Sequence, residues 1–228
     1  GDDTIWGDGG NDRLEGGYGI DSIKGGDGDD IITDGGTDAG AGEIHHGDGG
    51  NDVMNGGQGL DLLFGGTGND FIFGGADGKH ISGMEGDDFL SGSTGSNVIA
   101  GNEGDDWMEG GDGSAGFDGM AGDNSELFFN SEIIGHDVMD GREGDTDYDG
   151  ESGDDIMVQR DGIQRNNGMA GFDWVINKYA TAGQDIELGR PIFANQQANI
   201  LRDRYDLVEG ASGSQFNDLI AGRDKALG

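Results

Sequence analysis

The sequence predicts an all-β chain, a β-solenoid of short parallel strands built from nine-residue units. Three observations predict it. A unit reading Gly-Gly-x-Gly-x-Asp-x-apolar-x recurs through most of residues 1–176. Glycine supplies 52 of 228 residues and proline only 1, so the chain turns often without the proline-rich three-residue period of collagen. Only 32% of residues are apolar, against about 45–50% in an ordinary globular domain, which leaves material for a narrow core and no more.

The units justify the fold one position at a time. Clean copies begin at Gly16 (GGYGIDSIK), Gly25 (GGDGDDIIT), Gly56 (GGQGLDLLF) and Gly65 (GGTGNDFIF), and near copies at Gly7, Gly47, Gly83, Gly101, Gly150 and Gly168. Glycines at positions one, two and four let the chain turn tightly and aim carbonyls inward. Position six adds a short carboxylate. Positions seven to nine form a strand, and alternation turns position eight toward the interior. The residues expected inside include Leu14, Ile23, Ile32, Met54, Leu63, Ile72, Ile81, Leu90, Ile99, Met108, Met157 and Val175. Two units, 18 residues, then make one coil with a strand in each of two parallel sheets and a glycine turn at each edge.

Carbonyls and carboxylates converging on a turn are hard oxygen ligands, and Ca²⁺ accepts 6–8 of them in a flexible shell. Mg²⁺ demands stricter geometry and fits less well. The candidate ligands are Asp3, Asp12, Asp21, Asp30, Asp52, Asp61, Asp70, Asp88, Asp106, Asp137, Asp155 and Asp173. With no Cys there is neither a disulfide framework nor a thiolate site. A net charge of −35 excludes generic nucleic-acid binding, because phosphate is repelled. No run of about 18 apolar residues predicts a membrane-spanning helix. One inward apolar residue per nine cannot offset the backbone entropy of ordering the other eight. The cation-free chain is therefore predicted to be unfolded, with calcium supplying the missing free energy.

Units two apart share an edge. One edge reads Asp12, Asp30, Asp52, Asp70, Asp88 and Asp106, provided that Asp34–His46 holds one unit plus a four-residue insert. The other reads Asp3, Asp21, the insert, Asp61, Lys79, Asn97 and Ala115. Lys79 stands at a ligand position where its ammonium replaces a cation, so ions are expected to be missing near Lys79 and Ala115. His45 and His46 are placed in the insert, as solvated loop residues. Position seven forms an apolar row, Ile31, Val53, Phe71, Phe89 and Trp107, on one outer face. That row is either covered by this same polypeptide or docks a partner or a second copy.

The second part is less regular. Residues 1–157 hold 38 acids and 4 bases, whereas residues 158–228 hold 9 and 8, so the regular domain is bounded near Val158. Asp145-Thr-Asp147-Tyr-Asp149-Gly150 matches half of an EF-hand loop, but Ile156 stands where the bidentate Glu is needed. A calcium site merged into the solenoid is the better reading. Residues 177–207 read as an inserted β-rich or irregular segment, with a strand over Gln184–Leu188 and helical spacing at Ala194, Ala198, Leu201, Tyr205 and Val208. Residues 208–228 return to the repeat. The chain begins inside a unit and has no initiator Met, so it reads as a segment of a longer protein.

The nonapeptide resembles the RTX, or haemolysin-type, calcium-binding repeat. That resemblance implies a right-handed parallel β-roll, export from a Gram-negative bacterium by type I secretion, and folding on extracellular calcium. It also implies Asp218 as a ligand, since Val208–Gly222 is similar to the element by which such arrays re-enter the roll. The string from Gly168 to Glu209 resembles RTX-bearing regions of large secreted bacterial proteins with an animal-type haem peroxidase domain, although no haem or catalytic motif is recognisable here. G-x-S-x-G, H-E-x-x-H and Walker signatures are absent. The expected function is a non-catalytic, calcium-dependent structural and secretion module, with an adhesive or self-assembling module as the alternative.

Overall fold

The computed structural model describes residues 1–36, 42–112, 116–123, 135–190 and 202–222. Among them the chain is an all-β parallel solenoid, a β-roll of two ten-stranded sheets, with a small third sheet of two strands. As far as Trp174–Ile176 consecutive strands alternate between the large sheets, so each sheet takes every second strand. One runs from Thr4–Trp6 through Ser22–Asp27 and Ile44–Gly49 to Arg204–Asp206. The other runs from Arg13–Glu15 through Ile31–Thr33 and Val53–Asn55 to Gly210–Ser212. Where no insert intervenes, paired residues are 18 apart, as in Phe71↔Phe89↔Trp107.

The inward column follows from the alternation. Ile23, Ile32, Met54, Leu63, Ile72, Ile81, Leu90, Ile99, Met108, Met157 and Val175 are all fully buried, and Leu14 packs partly against them. Met120, Met139, Tyr148 and Tyr205 extend the column into the irregular part. Each side chain stacks on those one coil above and below, giving a core of two facing columns, one inward residue from each sheet per coil. The turns need positive φ where the chain reverses: Gly66 has φ 124°, and a Cβ there would strike the Asp48 carbonyl of the preceding coil.

Four expectations change. His45 and His46 are not loop residues. They lie in the strand Ile44–Gly49, where His45 pairs with Ile23 and Leu63 and is fully buried at position eight. The extra residues fall before Glu43 instead. Burial pushes the His45 imidazole down to about 4, so it sits neutral in the core. His46 stacks on Phe64, with ring centroids 4.8 Å apart. Secondly, Asp145–Asp149, read as a calcium site merged into the solenoid, is a strand of the roll with Thr146 and Tyr148 buried, so Thr146 and not a carboxylate stands in register with Asp118. Thirdly, Tyr205 lies in the strand Arg204–Asp206, not in a helix, because its side chain fills the column; Ala194, Ala198 and Leu201 lie outside the described residues. Fourthly, Ala115 lies outside the described residues, and the place expected for it is taken by Asp118, whose Oδ1 accepts the Asn97 backbone N–H. The strand expected near Gln184–Leu188 is present as Asp185–Glu187 and pairs with Leu219–Ala221 in the third sheet.

Candidate metal centre

The unit's sixth residue sits where a glycine turn enters a strand, with its side chain pointing back under the turn. On one edge the carboxylates form a continuous ladder. The backbone N–H of Asp12 donates to Oδ1 of Asp30 at 2.8 Å. Asp30 donates likewise to Asp52, Asp52 to Asp70, Asp70 to Asp88 and Asp88 to Asp106. The ladder crosses the irregular region unbroken, from Asp106 to Asp137, Asp155 and Asp173. It ends with the Asp173 N–H on Glu209 at 3.3 Å. One oxygen of each carboxylate is thus spent on tying two coils together.

The other oxygen is free for something else. Oδ2 of Asp12, Asp30, Asp52, Asp70, Asp88, Asp106, Asp137, Asp155 and Asp173 is buried with no hydrogen-bond donor. A buried carboxylate oxygen without a donor is costly. Each faces the first glycine of its own unit. A Cβ on Gly47 would collide with Asp52 Oδ2 and with the Gly65 carbonyl one coil on. A Cβ on Gly65 would meet Asp70 Oδ2 and the Gly83 carbonyl in the same way. The missing side chains leave a cradle of one carboxylate oxygen and backbone carbonyls between successive coils.

Electrostatics points the same way. Without a cation, burial pushes Asp52 and Asp173 up to about 6, Asp70, Asp88 and Asp137 up to about 7, Asp106 up to about 8 and Asp155 up to about 9. Charges on neighbouring carboxylates add to the rise, while the backbone N–H bond on Oδ1 opposes it. Among the described residues no three His, Cys, Asp or Glu side chains gather at one point, so any cation on this edge would have to be held largely by carbonyls. All-oxygen donors in a turn of this size fit a hard divalent cation of calcium's class.

The second edge is different. Asp3 and Asp21 begin it as expected, with the Asp3 N–H on Asp21 Oδ1 at 2.8 Å. Glu43, which position counting missed, comes next: it is buried, and its N–H donates to Asp61 Oδ1 at 3.0 Å. Burial and the adjacent Asp61 push its carboxyl up to about 8. Beyond Asp61 the carboxylates give way to Lys79 and Asn97, return at Asp118, and are replaced by Thr146 and Gln164 before Asp203. Lys79 Nζ lies 2.9 Å from Asp61 Oδ2, both side chains being inaccessible to water.

Two further acids depart from the ladder. Asp123 is buried and holds the Gly135 N–H and the Ser152 hydroxyl on Oδ2, leaving Oδ1 without a donor. It lies close enough to Asp106, Asp137 and Asp155 to raise all three. Asp218 is half-buried beside the third sheet. Its oxygens accept the Gln184 and Ser214 N–H groups and the Ser214 hydroxyl, which hold its carboxyl below the usual range.

Comparison with curated proteins finds no match for this chain. Comparison with family models finds one in four copies: residues 1–21, 15–38, 46–78 and 82–114 match the RTX calcium-binding nonapeptide repeat, so the regular coils that carry the intact ladder are similar to that family.

Proposed function

We propose that this chain is a calcium-binding structural module of a larger secreted bacterial protein, folding on calcium after export by type I secretion. One observation carries the reading: nine successive turns of one edge each bury a carboxylate oxygen that has no donor, and at seven of them a glycine carbonyl of the next coil borders the same cradle. Ca²⁺ in that cradle replaces the missing donors, neutralises adjacent acids and joins coil to coil. The match of the regular coils to the RTX repeat supports both the cation and the extracellular setting, where calcium is abundant. No residue is assigned a catalytic role. The resemblance of residues 168–209 to peroxidase-bearing proteins supports a catalytic domain elsewhere in the parent.

A second reading is favoured by the outer face. Ile31, Val53, Phe71 and Trp107 are exposed in register, and Phe71 stacks on Phe89 at 4.6 Å. Such a row suits an adhesive or self-assembling module. Calcium titration followed by far-UV circular dichroism and sedimentation separates the readings. The module folds in a cooperative coil-to-β transition near ~10⁻⁴–10⁻³ M, the range of extracellular calcium sites, at constant mass. Growth in mass that Phe71→Ser with Phe89→Lys abolishes, at unchanged calcium midpoint, favours assembly. A β-rich spectrum indifferent to calcium and chelator overturns both.

A further inference from the structure

Lys79 and Asn97 form a closed polar network on the second edge, between Asp61 and Asp118. Lys79 Nζ sits between two successive turns, against Asp61 Oδ2 (2.9 Å) and the carbonyls of Gly59 and Ala76. Those acceptors belong to positions six, four and three of their units, the oxygens that an ordinary turn turns inward. One coil on, the Asn97 amide nitrogen donates to the carbonyls of Ser93 (3.1 Å) and Gly95 (3.0 Å) and to Asp118 Oδ1 (2.9 Å). Asn97 Oδ1 in turn accepts from the Lys79 N–H and from the Ser93 N–H and hydroxyl. Asp118 Oδ2 accepts the Gly111 N–H at 3.1 Å. Across the roll at the same height, Oδ2 of Asp70, Asp88 and Asp106 has neither a hydrogen-bond donor nor a cationic side chain beside it, whereas Asp61 Oδ2, also without a hydrogen-bond donor, is ion-paired with the Lys79 ammonium.

We infer that the two edges of the roll are chemically unequal: from Asp61 to Asp118 the second edge takes no calcium, its inter-turn oxygens being satisfied by the Lys79 ammonium and the Asn97 amide. Lys79 is a tethered cation, present at fixed stoichiometry whatever the calcium concentration. A divalent ion placed among the same oxygens would meet the ammonium at contact distance. The middle of the roll is thereby cross-linked between coils on one edge without metal, while the opposite edge waits for it. The inference rests on the reading of the first edge as calcium-binding.

The test counts ions. The 228-residue wild-type chain and its variants are dialysed against calcium chloride, bound calcium is measured by atomic emission, and folding is checked by circular dichroism. Lys79→Asp restores the repeat's own ligand, and one more calcium per chain than wild type is expected. An unchanged count in a folded Lys79→Asp chain overturns the inference. Lys79→Met removes the ammonium and adds no ligand. In saturating calcium it should bind as many ions as wild type, yet melt on the order of 10 °C lower, the usual effect of stranding a buried charge in a chain of this size. Lys24→Met, at an exposed lysine, is the control. A Lys79→Met loss no greater than that control also overturns the inference, and this arm holds even if Lys79→Asp fails to fold. Should wild type bind no calcium while remaining β-rich, the calcium reading of the first edge fails, whereas the Lys79→Met arm still tests the ammonium.

Discussion

At the scale of a residue, the site depends on what each side chain leaves out as much as on what it supplies. Asp106 uses Oδ1 to accept the Asp88 N–H at 2.8 Å, and its Oδ2 is the oxygen without a donor. Asp106→Asn keeps an acceptor for that N–H and removes the anion. We expect the ladder to persist and calcium at that turn to weaken about tenfold, ~1.4 kcal/mol, measured by calorimetric titration. Equal affinity in the variant would remove Asp106 from the ligand set. Glycines test the cradle from the other side. Gly47→Ala puts a Cβ onto Asp52 Oδ2 and the Gly65 carbonyl, and should cost about 1–3 kcal/mol through overpacking as well as weakening a calcium site. Gly119 has nothing within 4 Å of its would-be Cβ. Gly119→Ala should be neutral or stabilising by about 0.4–1 kcal/mol, since it narrows the unfolded ensemble. If both substitutions cost the same, close approach to the carboxylate is not what reserves Gly47 for glycine.

At the scale of an element, the ladder titrates as a row. Seven of its carboxyls, from Asp52 to Asp173, are raised by burial. Each therefore binds a proton in the cation-free roll at pH values where the unfolded chain has released it. Stability rises with pH only where the unfolded state binds more protons. Here the folded state binds more, so the cation-free roll loses stability as pH climbs from about 4 toward 8. In calcium-free buffer β-structure should increase as pH is lowered from about 8 to about 5.5. Calcium needs the same Oδ2 atoms deprotonated, so its binding at pH 7 should release protons into weak buffer and its midpoint should move to higher concentration in acid. A midpoint independent of pH between 6 and 8 would contradict this. The row was legible in the sequence because its spacing is 18 wherever no insert intervenes, and so was the inward column. Glu43, Asp118 and His45 were not. After an insert, the strand's hydrogen-bond partner decides which residue re-enters position six or eight, and counting from either side cannot fix it. His45 and Tyr148 were also hidden because an apolar pattern does not anticipate a polar ring in a core position; the His45 ring stays neutral by burial, and the Tyr148 hydroxyl reaches the Val158 carbonyl at 2.8 Å.

At the scale of the whole molecule, a net charge of −35 has to be held on a core only two side chains wide. Two explanations for a calcium requirement then compete. In one, cations merely screen the repulsion, and any salt suffices. In the other, the ion completes the coordination of particular buried oxygens, and only a cation of the right size and ligand number works. The magnitudes separate them. At 1 M monovalent salt the Debye length is about 3 Å, so repulsion between exposed acids such as Asp29, Asp87 and Asp105 is largely suppressed. The ladder oxygens are buried, where mobile ions do not reach and screening is weak. Sodium should therefore leave the chelated chain unfolded even at 1 M, while calcium folds it at about 10⁻³ M. Magnesium, which keeps its waters and a strict octahedron, should be much less effective at equal concentration. Coils of a repeat array are stabilised by their neighbours, so circular dichroism should show one cooperative transition for the regular coils. If 1 M sodium chloride alone gave the β-rich spectrum in chelator, screening would be sufficient, and the donor-free oxygens along Asp12–Asp173 would have to be neutral carboxylic acids in the working protein.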